Sequence, residues 1–354
     1  MIEIATILND WYHKNKRILP WRNTKNPYYI WVSEIILQQT RVEQGLPYYK
    51  KFIENFPNIR SLAEADEKDV LNVWKGLGYY RRALNMHQAA KYIISECDSV
   101  FPSTFNDLLK LKGVGEYTAA AIASIAFGEK TPVVDGNVVR VLCRLYELKG
   151  NKNNISFRHQ LVDIVKPAMD YVKPDILNQA IMELGALICL PQNPKCFDCP
   201  IAQYCKAFVN RTIDQYPIVK QKSKQQILYF NYIIVIEKQA LYMNFRNKDA
   251  IWKNMYEFPG IVSNRLFSLE ELKQHSDYKL WFENTLEFLK ETNNYKHVLS
   301  HRIIYAKAFI FRKVNPNYKI NFKRISIKEL KKIPMPRLIE KILNDYQELF
   351  TESD

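Results

Sequence analysis

The sequence predicts two regions of different fold class, a mostly α-helical N-terminal region followed by an α+β C-terminal region. In the first region apolar residues recur at helical spacing between short turns, for example at 70–74, 84–94 and 117–127. In the second region strand-like apolar runs alternate with helical patterns. A chain of 354 residues is long enough for two domains that each bury a core.

The change of pattern predicts the domain boundaries. We place the helical region at 1–210, a basic linker at 211–226, where the apolar periodicity fades, and the α+β region at 227–354. Within the α+β region we expect helices around 269–289 and 338–346, and strands at 227–236, 241–245, 303–311 and 318–322.

Charge and hydropathy narrow the class of partner. A formal net charge of +14 favours an anionic partner, and DNA, RNA and acidic membrane surfaces all remain open. No apolar run approaches the length that spans a bilayer, and Glu3 and Asp10 stand where a signal peptide needs a basic start and an apolar block. We therefore expect a cytoplasmic protein without a membrane anchor.

Four of the six cysteines fall in one short stretch with the spacing C-x6-C-x2-C-x5-C, namely Cys189, Cys196, Cys199 and Cys205. Four thiolates hold either zinc or an iron–sulfur cluster, and the ligand type alone does not separate the two. Disulfide pairing is a third option, which a reducing cytosol disfavours. Cys97 and Cys143 are expected to be small buried side chains.

A glycine turn precedes an alanine-rich helical segment. Gly113 and Gly115 flank Val114 just before the segment at 117–127, so backbone N–H groups can point outward at a helix N-terminus, where they would favour an anion. The alternative is a tight turn that only joins two packed helices.

Two acids have strongly apolar neighbours. Glu34 lies in an apolar helical segment, where burial would raise its pKa and let it act as a general acid; the alternative is a surface glutamate. Asp135 follows Pro132 between apolar residues. It is either the N-cap of a helix starting near Asn137 or a carboxylate that stabilises positive charge on a sugar, and the two roles are compatible.

Four strings resemble, in the same order, those of the MutY-type adenine DNA glycosylases of the endonuclease III-like helix-hairpin-helix superfamily. They are SEIILQQT at 33–40, the glycine turn and aspartate within 111–145, the cysteine spacing at 189–205, and WKNMYEFPG at 252–260. The resemblance covers nearly the whole chain. It implies a helix-hairpin-helix glycosylase fold with an iron–sulfur loop, a Nudix-like C-terminal domain, and a monomeric, nucleoid-associated bacterial enzyme.

The activity that the resemblance implies is the hydrolysis of the N-glycosidic bond of adenine in double-stranded DNA, after base flipping, where the adenine lies opposite 8-oxoguanine or guanine. Glu34 would protonate the departing adenine and Asp135 would stabilise the cationic sugar. Tyr117 and Asn137 would line the sugar and the water. Tyr117 stands where lyase relatives have a Schiff-base lysine, so we expect a monofunctional enzyme.

The alternative within the superfamily is a bifunctional endonuclease III-like glycosylase and AP lyase for damaged pyrimidines. Tyr117, Glu34 and the extra domain count against it. A non-catalytic iron–sulfur protein that binds DNA would need the glycine turn and the cysteines but not both acids.

The resemblance also implies binding roles. It places the adenine pocket at Trp21, Arg22 and Glu183, and the wedge and opposite-base contacts at Gln39, Thr40, Leu77 and Tyr79. The hairpin of Gly113, Val114 and Gly115 would grip phosphate, with room for a monovalent cation. The four clustered cysteines would hold one structural 4Fe-4S cluster. Without the resemblance, Trp21 reads as core and 76–82 as a turn that joins two helices.

The C-terminal region resembles Nudix domains without their acidic metal-binding helix. The ordered glutamates that would hold magnesium are absent after Gly260, so we do not expect diphosphate hydrolysis. By resemblance the loop at 297–301 reads 8-oxoguanine through Ser300 and His301. This loop departs from the family at Leu299, where phenylalanine is common.

Overall fold

The computed structural model describes residues 1–150, 154–218, 225–247, 251–282, 285–299, 301–330 and 333–351. Contacts between residues divide the chain into two compact units. The helical unit contains the described residues within 1–73 and 81–218, and the sheet unit contains those within 74–80 and 225–351.

The helical unit consists of α-helices and short 3₁₀ turns, as the periodicity predicts. The helices are α1 (Ile2–Asn15), α2 (Pro27–Leu37), α3 (Val42–Asn55), α4 (Ile59–Glu64), α5 (Glu67–Trp74), α6 (Arg81–Glu96), α7 (Phe105–Leu108), α8 (Glu116–Phe127), α9 (Gly136–Tyr146), α10 (Ile155–Val165), α11 (Pro174–Leu187) and α12 (Lys206–Val209). The 3₁₀ turns lie at Pro20–Arg22, Lys166–Asp170, Cys196–Asp198, Ala202–Tyr204 and Ile213–Gln215.

Helices α2 and α8 are apolar on nearly every face, and both lie inside the unit. Asn26 caps the start of α2 by accepting a hydrogen bond from the Tyr28 N–H, and Gly128 ends α8 in the left-handed conformation. The two helices pack against each other. This packing brings Glu34 of α2 to Tyr117 of α8.

A second core joins α1, α9, α10 and α11 through side chains such as Leu8, Leu142, Leu161 and Leu184. Helix α11 approaches α9 closely at Gly185, where an added Cβ would lie 2.6 Å from the Cβ of Asn137. Because only glycine allows this approach, α11 can pass beside the start of α9.

The sheet unit is α+β, as predicted. Its strands are β1 (Gln226–Glu237), β2 (Ala240–Phe245), β3 (Tyr256–Glu257), β4 (Gly260–Ser263), β5 (Leu286–Glu291), β6 (Tyr295–Val298), β7 (Arg302–Lys313) and β8 (Lys323–Ser326). Its helices are α13 (Leu269–Gln274), α14 (Ser276–Phe282), α15 (Ile327–Leu330), α16 (Arg337–Asp345) and α17 (Gln347–Thr351).

The parallel pair of β1 and β7 forms the centre of the sheet, in register from Gln226 opposite Arg302 to Ile236 opposite Arg312. Strands β2 and β4 pair with β1, strands β5 and β6 pair with β7, and strands β3 and β8 pair with β2, all antiparallel. Helix α16 packs on one face of the sheet, and α13 and α14 pack on the other.

Two predicted elements of the sheet unit were wrong. Residues 318–322 do not form a strand; Tyr318, Ile320 and Phe322 pack against the core by their side chains, and the hydrogen-bonded strand β8 begins only at Lys323. The helix predicted around 269–289 ends at Phe282, and Leu286 starts β5 instead. Apolar spacing indicated the burial of Ile320 and Phe282 but not the exposure of Leu280, and it did not indicate which backbone groups pair.

Among the described residues, no helix combines the length and the apolar run that crossing a bilayer requires.

Candidate active site

A cavity of about 410 Å³ opens in the helical unit beside α2, α8, α9 and α11, which is within the usual size range of small-molecule pockets. The structure brings to its lining all four residues predicted for the chemistry and all three predicted for the adenine pocket. They are Glu34, Tyr117, Asp135, Asn137, Trp21, Arg22 and Glu183.

Glu34 is a buried acid, with 7% of its surface exposed. Burial raises its pKa from 4.5 to about 7; the hydrogen bond from Tyr117 opposes this effect, and the negative charge of Asp135 adds to it. Near neutral pH a large fraction of the Glu34 side chain is therefore protonated and able to donate a proton.

Tyr117 donates its O–H to Glu34 Oε2. Burial, together with the charges of Glu34 and Asp135, raises the pKa of Tyr117 well above its ordinary value. The phenol therefore stays protonated and acts as a fixed donor to the carboxyl group.

Asp135 is the N-cap of α9, which confirms that interpretation of the sequence. Its Oδ1 accepts the Val138 N–H at 2.7 Å, and its Oδ2 accepts the Asn137 side-chain amide at 2.7 Å. Burial raises the pKa of Asp135, and these hydrogen bonds oppose the rise because they stabilise the ionised form. The carboxylate therefore lies at the N-terminus of α9 and also lines the cavity.

Arg140 fixes the orientation of Asn137, and the sequence did not single it out. Its Nη2 donates to Asn137 Oδ1 at 2.8 Å and to the Gly185 carbonyl at 2.7 Å, and its Nε donates to the Cys189 carbonyl at 2.7 Å. Because Oδ1 is held by Arg140, the amide nitrogen of Asn137 must face Asp135. The only sequence signal was the i, i+3 spacing of Asn137 and Arg140 on one helix.

Glu183 is held by two arginines, one of which sequence reasoning missed. Arg22 donates from Nη1 and Nη2, at 2.8 and 2.6 Å. Arg17 donates from its backbone N–H, Nε and Nη2, at 2.9, 2.9 and 2.6 Å. Burial opposes ionisation, but the hydrogen bonds from Arg22 and Arg17 outweigh it and lower the pKa of Glu183 to about 2.

Glu183 is therefore ionised at any pH near neutrality, and both of its oxygens are engaged by guanidinium groups. Trp21 is buried beside this ion-paired group and meets the Tyr49 ring edge to face, with 4.9 Å between centroids. The proximity of Arg17 to the string at 19–22 was the available clue to its place.

The residues predicted to meet the opposite base differ in exposure. Gln39 is exposed and has a φ of 57°, and Thr40 lines the cavity. Leu77 and Tyr79 belong to the sheet unit; Leu77 is buried at 6% exposure, whereas 51% of Tyr79 is exposed.

The glycine hairpin is a backbone feature. Gly113 has a φ of +79°, and an added Cβ would lie 2.7 Å from Asn85 Cβ. The Val114 side chain is buried, and its N–H donates to the Leu111 carbonyl, so the Val114 N–H closes the turn rather than facing a ligand. Gly115 is the N-cap of α8, and a Cβ there would meet open space.

The predicted lesion-reading loop belongs to the sheet unit. His301 is exposed, and its carbonyl accepts the Gln226 N–H at 3.1 Å. Leu299 packs against the core beside α16 and its carbonyl accepts a hydrogen bond from Gln225. Ser300 lies outside the described residues.

None of the six cysteines is paired in a disulfide, and Cys189, Cys199 and Cys205 pack against the core around α9. Cys143 is buried as expected, but Cys97, just beyond the end of α6, is half-buried. Within the part of the chain that the structure describes, no group of three or more His, Cys, Asp or Glu side chains is arranged to hold a metal ion.

A buried arginine lies against the cysteine loop. Arg144 is only 2% exposed, and it donates to Cys189 Sγ at 3.4 Å and to the carbonyls of Leu190, Pro191 and Tyr216. Burial raises the pKa of Cys196, Cys199 and Cys205, which favours neutral thiols, and the positive charge of Arg144 opposes this effect at Cys196. Four cysteines in one loop, with a buried cation beside them, are chemically compatible with a zinc ion or an iron–sulfur cluster.

Comparison with known proteins identifies the family. The model of the HhH-GPD superfamily base excision DNA repair proteins matches residues 32–167, and that of the NUDIX domain matches residues 231–345. The chain is 35% identical to the adenine DNA glycosylase of Buchnera aphidicola subsp. Acyrthosiphon pisum, over 97% of each chain. It is also 35% identical to that of Buchnera aphidicola subsp. Schizaphis graminum, over 97% of this chain and 98% of the relative.

A solved structure agrees with the fold of the helical unit. A thermostable thymine-DNA glycosylase superposes with a TM-score of 0.54 at 28% identity, covering 58% of this chain and 95% of that chain. The predicted helix-hairpin-helix and Nudix-like fold classes are confirmed by these matches. Since relatives 35% identical over nearly their full length are adenine DNA glycosylases, the chain belongs to the adenine DNA glycosylase family.

Proposed function

We propose that this adenine-specific DNA N-glycosylase acts on adenine that lies opposite 8-oxoguanine or guanine in double-stranded DNA, and that Glu34 and Asp135 carry the chemistry. The observation that carries the proposal is the meeting of these two acids, 101 positions apart in the sequence, in one cavity. Burial raises the pKa of both acids, but Asp135 also accepts the Val138 N–H and the Asn137 amide, which favour its ionised form.

Glu34 is the proton donor in this proposal. Its raised pKa keeps much of the carboxyl group neutral near pH 7. It transfers its proton to a ring nitrogen of the flipped adenine while the bond between that base and the sugar breaks, and the bonding electrons leave with the base. Without protonation the leaving group would be an adenine anion, which departs far less readily.

Asp135 stabilises the sugar left behind. Loss of the base gives the sugar oxocarbenium character, and an ionised carboxylate beside it lowers the energy of that state. The Val138 N–H and the Asn137 amide help to keep Asp135 ionised. Water then adds to the sugar and releases one proton, which the Glu34 carboxylate left by the first step can accept. Asn137 and Tyr117 line the space in which the water adds.

The residues that line the cavity support hydrolysis without a lyase step. Tyr117 occupies the position of the lyase lysine, and none of the described residues that line the cavity is a lysine. A Schiff base with the sugar therefore has no amine there. The bifunctional alternative has no observation in its favour.

Trp21, Arg22 and Glu183 hold the flipped adenine in the proposal, and Arg17 joins them. Both oxygens of Glu183 are engaged by Arg17 and Arg22, so Glu183 acts by fixing the two guanidinium groups. Their remaining N–H groups and the Trp21 ring offer hydrogen bonding and apolar contact to a purine.

DNA binding uses Thr40 at the edge of the cavity and residues that do not line it. We assign the opposite-base and wedge contacts to Gln39, Thr40, Leu77 and Tyr79, with Leu77 requiring a rearrangement of its turn because its side chain is buried. The hairpin at 113–115 grips a phosphate, and a monovalent cation there is compatible with its exposed backbone. Ser300 and His301 read 8-oxoguanine.

We also propose that Cys189, Cys196, Cys199 and Cys205 hold one 4Fe-4S cluster. The buried Arg144 beside Cys189 supports the proposal because its positive charge would offset the negative charge of thiolate ligands. The cluster would organise the loop and supply no step of the reaction. Lys195 and Lys206 of this loop are exposed and available to phosphate.

The first prediction concerns the proton donor. Replacing Glu34 by Gln removes the acid but keeps its shape, so single-turnover adenine release should fall by at least about 10²-fold, and binding to the lesion duplex should persist. Glu64→Gln, which changes an exposed acid of α4, controls for loss of charge and should cut normally. Normal turnover by Glu34→Gln would remove Glu34 from its role.

The second prediction concerns the sheet unit. Deleting residues 228–354 should preserve some cutting of adenine opposite guanine and erode the preference for 8-oxoguanine. The thymine-DNA glycosylase matched over 95% of its length by 58% of this chain indicates that such a helical unit folds alone. The test measures cutting rates on duplexes that carry adenine opposite 8-oxoguanine, guanine or thymine, with and without alkali. An unchanged preference for 8-oxoguanine in the truncated protein would refute the assignment.

The third prediction concerns the cluster. The chain purified without oxygen should contain about four iron atoms and matching acid-labile sulfide. Cys199→Ser should lower both, whereas Cys97→Ser, outside the loop, should leave both unchanged. Stoichiometric zinc in place of iron would contradict the assignment.

A further inference from the structure

Helix α2 ends without a cation of its own. The last carbonyl groups of an α-helix have no intrahelical donor, and a positive charge near them is stabilising. The last turn of α2 contains no basic residue. The Thr40 N–H donates to the Leu37 carbonyl at 3.1 Å. A positive charge, and donors for the carbonyls before Leu37, must come from elsewhere in the fold.

Arg82, in the first turn of α6, supplies them. Its Nη1 lies 2.8 Å from the Ile35 carbonyl, 3.1 Å from the Ile36 carbonyl and 2.6 Å from the Gln38 carbonyl. Arg82 is half-buried, so its charge is less screened than that of a surface arginine. A side chain of one helix therefore caps the C-terminus of another.

The cap lies just before a strained turn. The backbone carbonyl of Gln38 accepts a hydrogen bond from Arg82. The side-chain amide of Gln38 donates to Thr118 Oγ1 of α8 at 3.2 Å. Gln39 follows with a φ of 57°, a left-handed conformation that costs a non-glycine residue about 1 kcal/mol or more. Contacts with the rest of the fold must therefore hold Gln39 in this conformation. The hydrogen bonds of Gln38, the preceding residue, are suited to do so.

The same turn leads to the cavity. Thr40, one residue further on, lines it. Glu34 lies one helical turn before Gln38 and is fixed separately, by the burial of α2 and by Tyr117. Loss of the cap should therefore loosen the turn at 38–40 more than it disturbs the acid.

We propose that Arg82 is a positioning residue that fixes the Gln38–Gln39 turn and thereby sets how the enzyme discriminates the base opposite adenine. The inference rests on the proposed contact of Gln39 and Thr40 with that base. Arg82 touches neither base in this account and acts through the backbone of the turn.

The test compares Arg82→Met, which removes the donors and keeps an apolar chain, with Arg82→Lys, which keeps the cation. Arg81→Met removes a charge from the neighbouring exposed position and controls for weaker DNA binding. Single-turnover rates at saturating enzyme are measured for adenine opposite 8-oxoguanine and opposite guanine. Arg82→Met should lower the ratio of the two rates about tenfold, Arg82→Lys should restore part of it, and Arg81→Met should keep the wild-type ratio.

Two further readouts separate positioning from simple destabilisation. The pH dependence of cutting should be the same in Arg82→Met and wild type, because Glu34 is unaffected. The double variant Gln39→Ala, Arg82→Met should have the same ratio as Arg82→Met alone, since both changes act on one turn. If Arg82→Met does not fold, Arg82→Lys is used instead, and its ratio of the two rates should be lower than that of the wild type.

Three results would overturn the inference: an unchanged ratio in folded Arg82→Met, an equal fall of both rates, or a shifted pH profile. A wild-type enzyme that cuts equally opposite both bases would instead contradict the proposed function, which keeps the two failures distinguishable.

Discussion

The hydrogen bond from Tyr117 to Glu34 joins the two apolar helices on which the site depends. Burial between α2 and α8 favours the neutral carboxyl group more than water does, because the surrounding apolar side chains cannot solvate an anion. Burial is therefore the largest influence on the pKa of Glu34. The apolar pattern that makes these helices core elements also makes the acid a proton donor near pH 7.

Three acids in one cavity receive three different environments. Glu34 is buried with a phenol donor, Asp135 caps a helix and accepts two N–H groups, and Glu183 is held by two guanidinium groups. The pKa of Glu34 lies at about 7 and that of Glu183 at about 2. Glu34 can therefore donate a proton in the same cavity in which Glu183 stays ionised, and the two N–H groups at Asp135 oppose the effect of burial on its pKa.

Sequence periodicity located what depends on local structure. The apolar helix around Glu34 and the N-cap at Asp135 were readable because burial and capping follow from nearby residues. The pairing of Arg17 with Glu183, 166 positions away, had no clue beyond the nearness of Arg17 to the string at 19–22, and the cap that Arg82 gives to α2 left no local signal. The strand predicted at 318–322 failed for a related reason, since alternation predicts which side chains are buried and not which backbone groups pair.

The rate of adenine release in single turnover, measured from about pH 5 to 9 for the wild type and for Tyr117→Phe, tests the role of a neutral Glu34 most directly. Because the protonated form is the active one, the wild-type rate should fall as the pH rises through about 7. Tyr117→Phe removes the hydrogen bond that lowers the pKa of Glu34, so its alkaline decline should move to higher pH. A wild-type rate that stays level above pH 7, or a decline that moves to lower pH in Tyr117→Phe, would contradict the account.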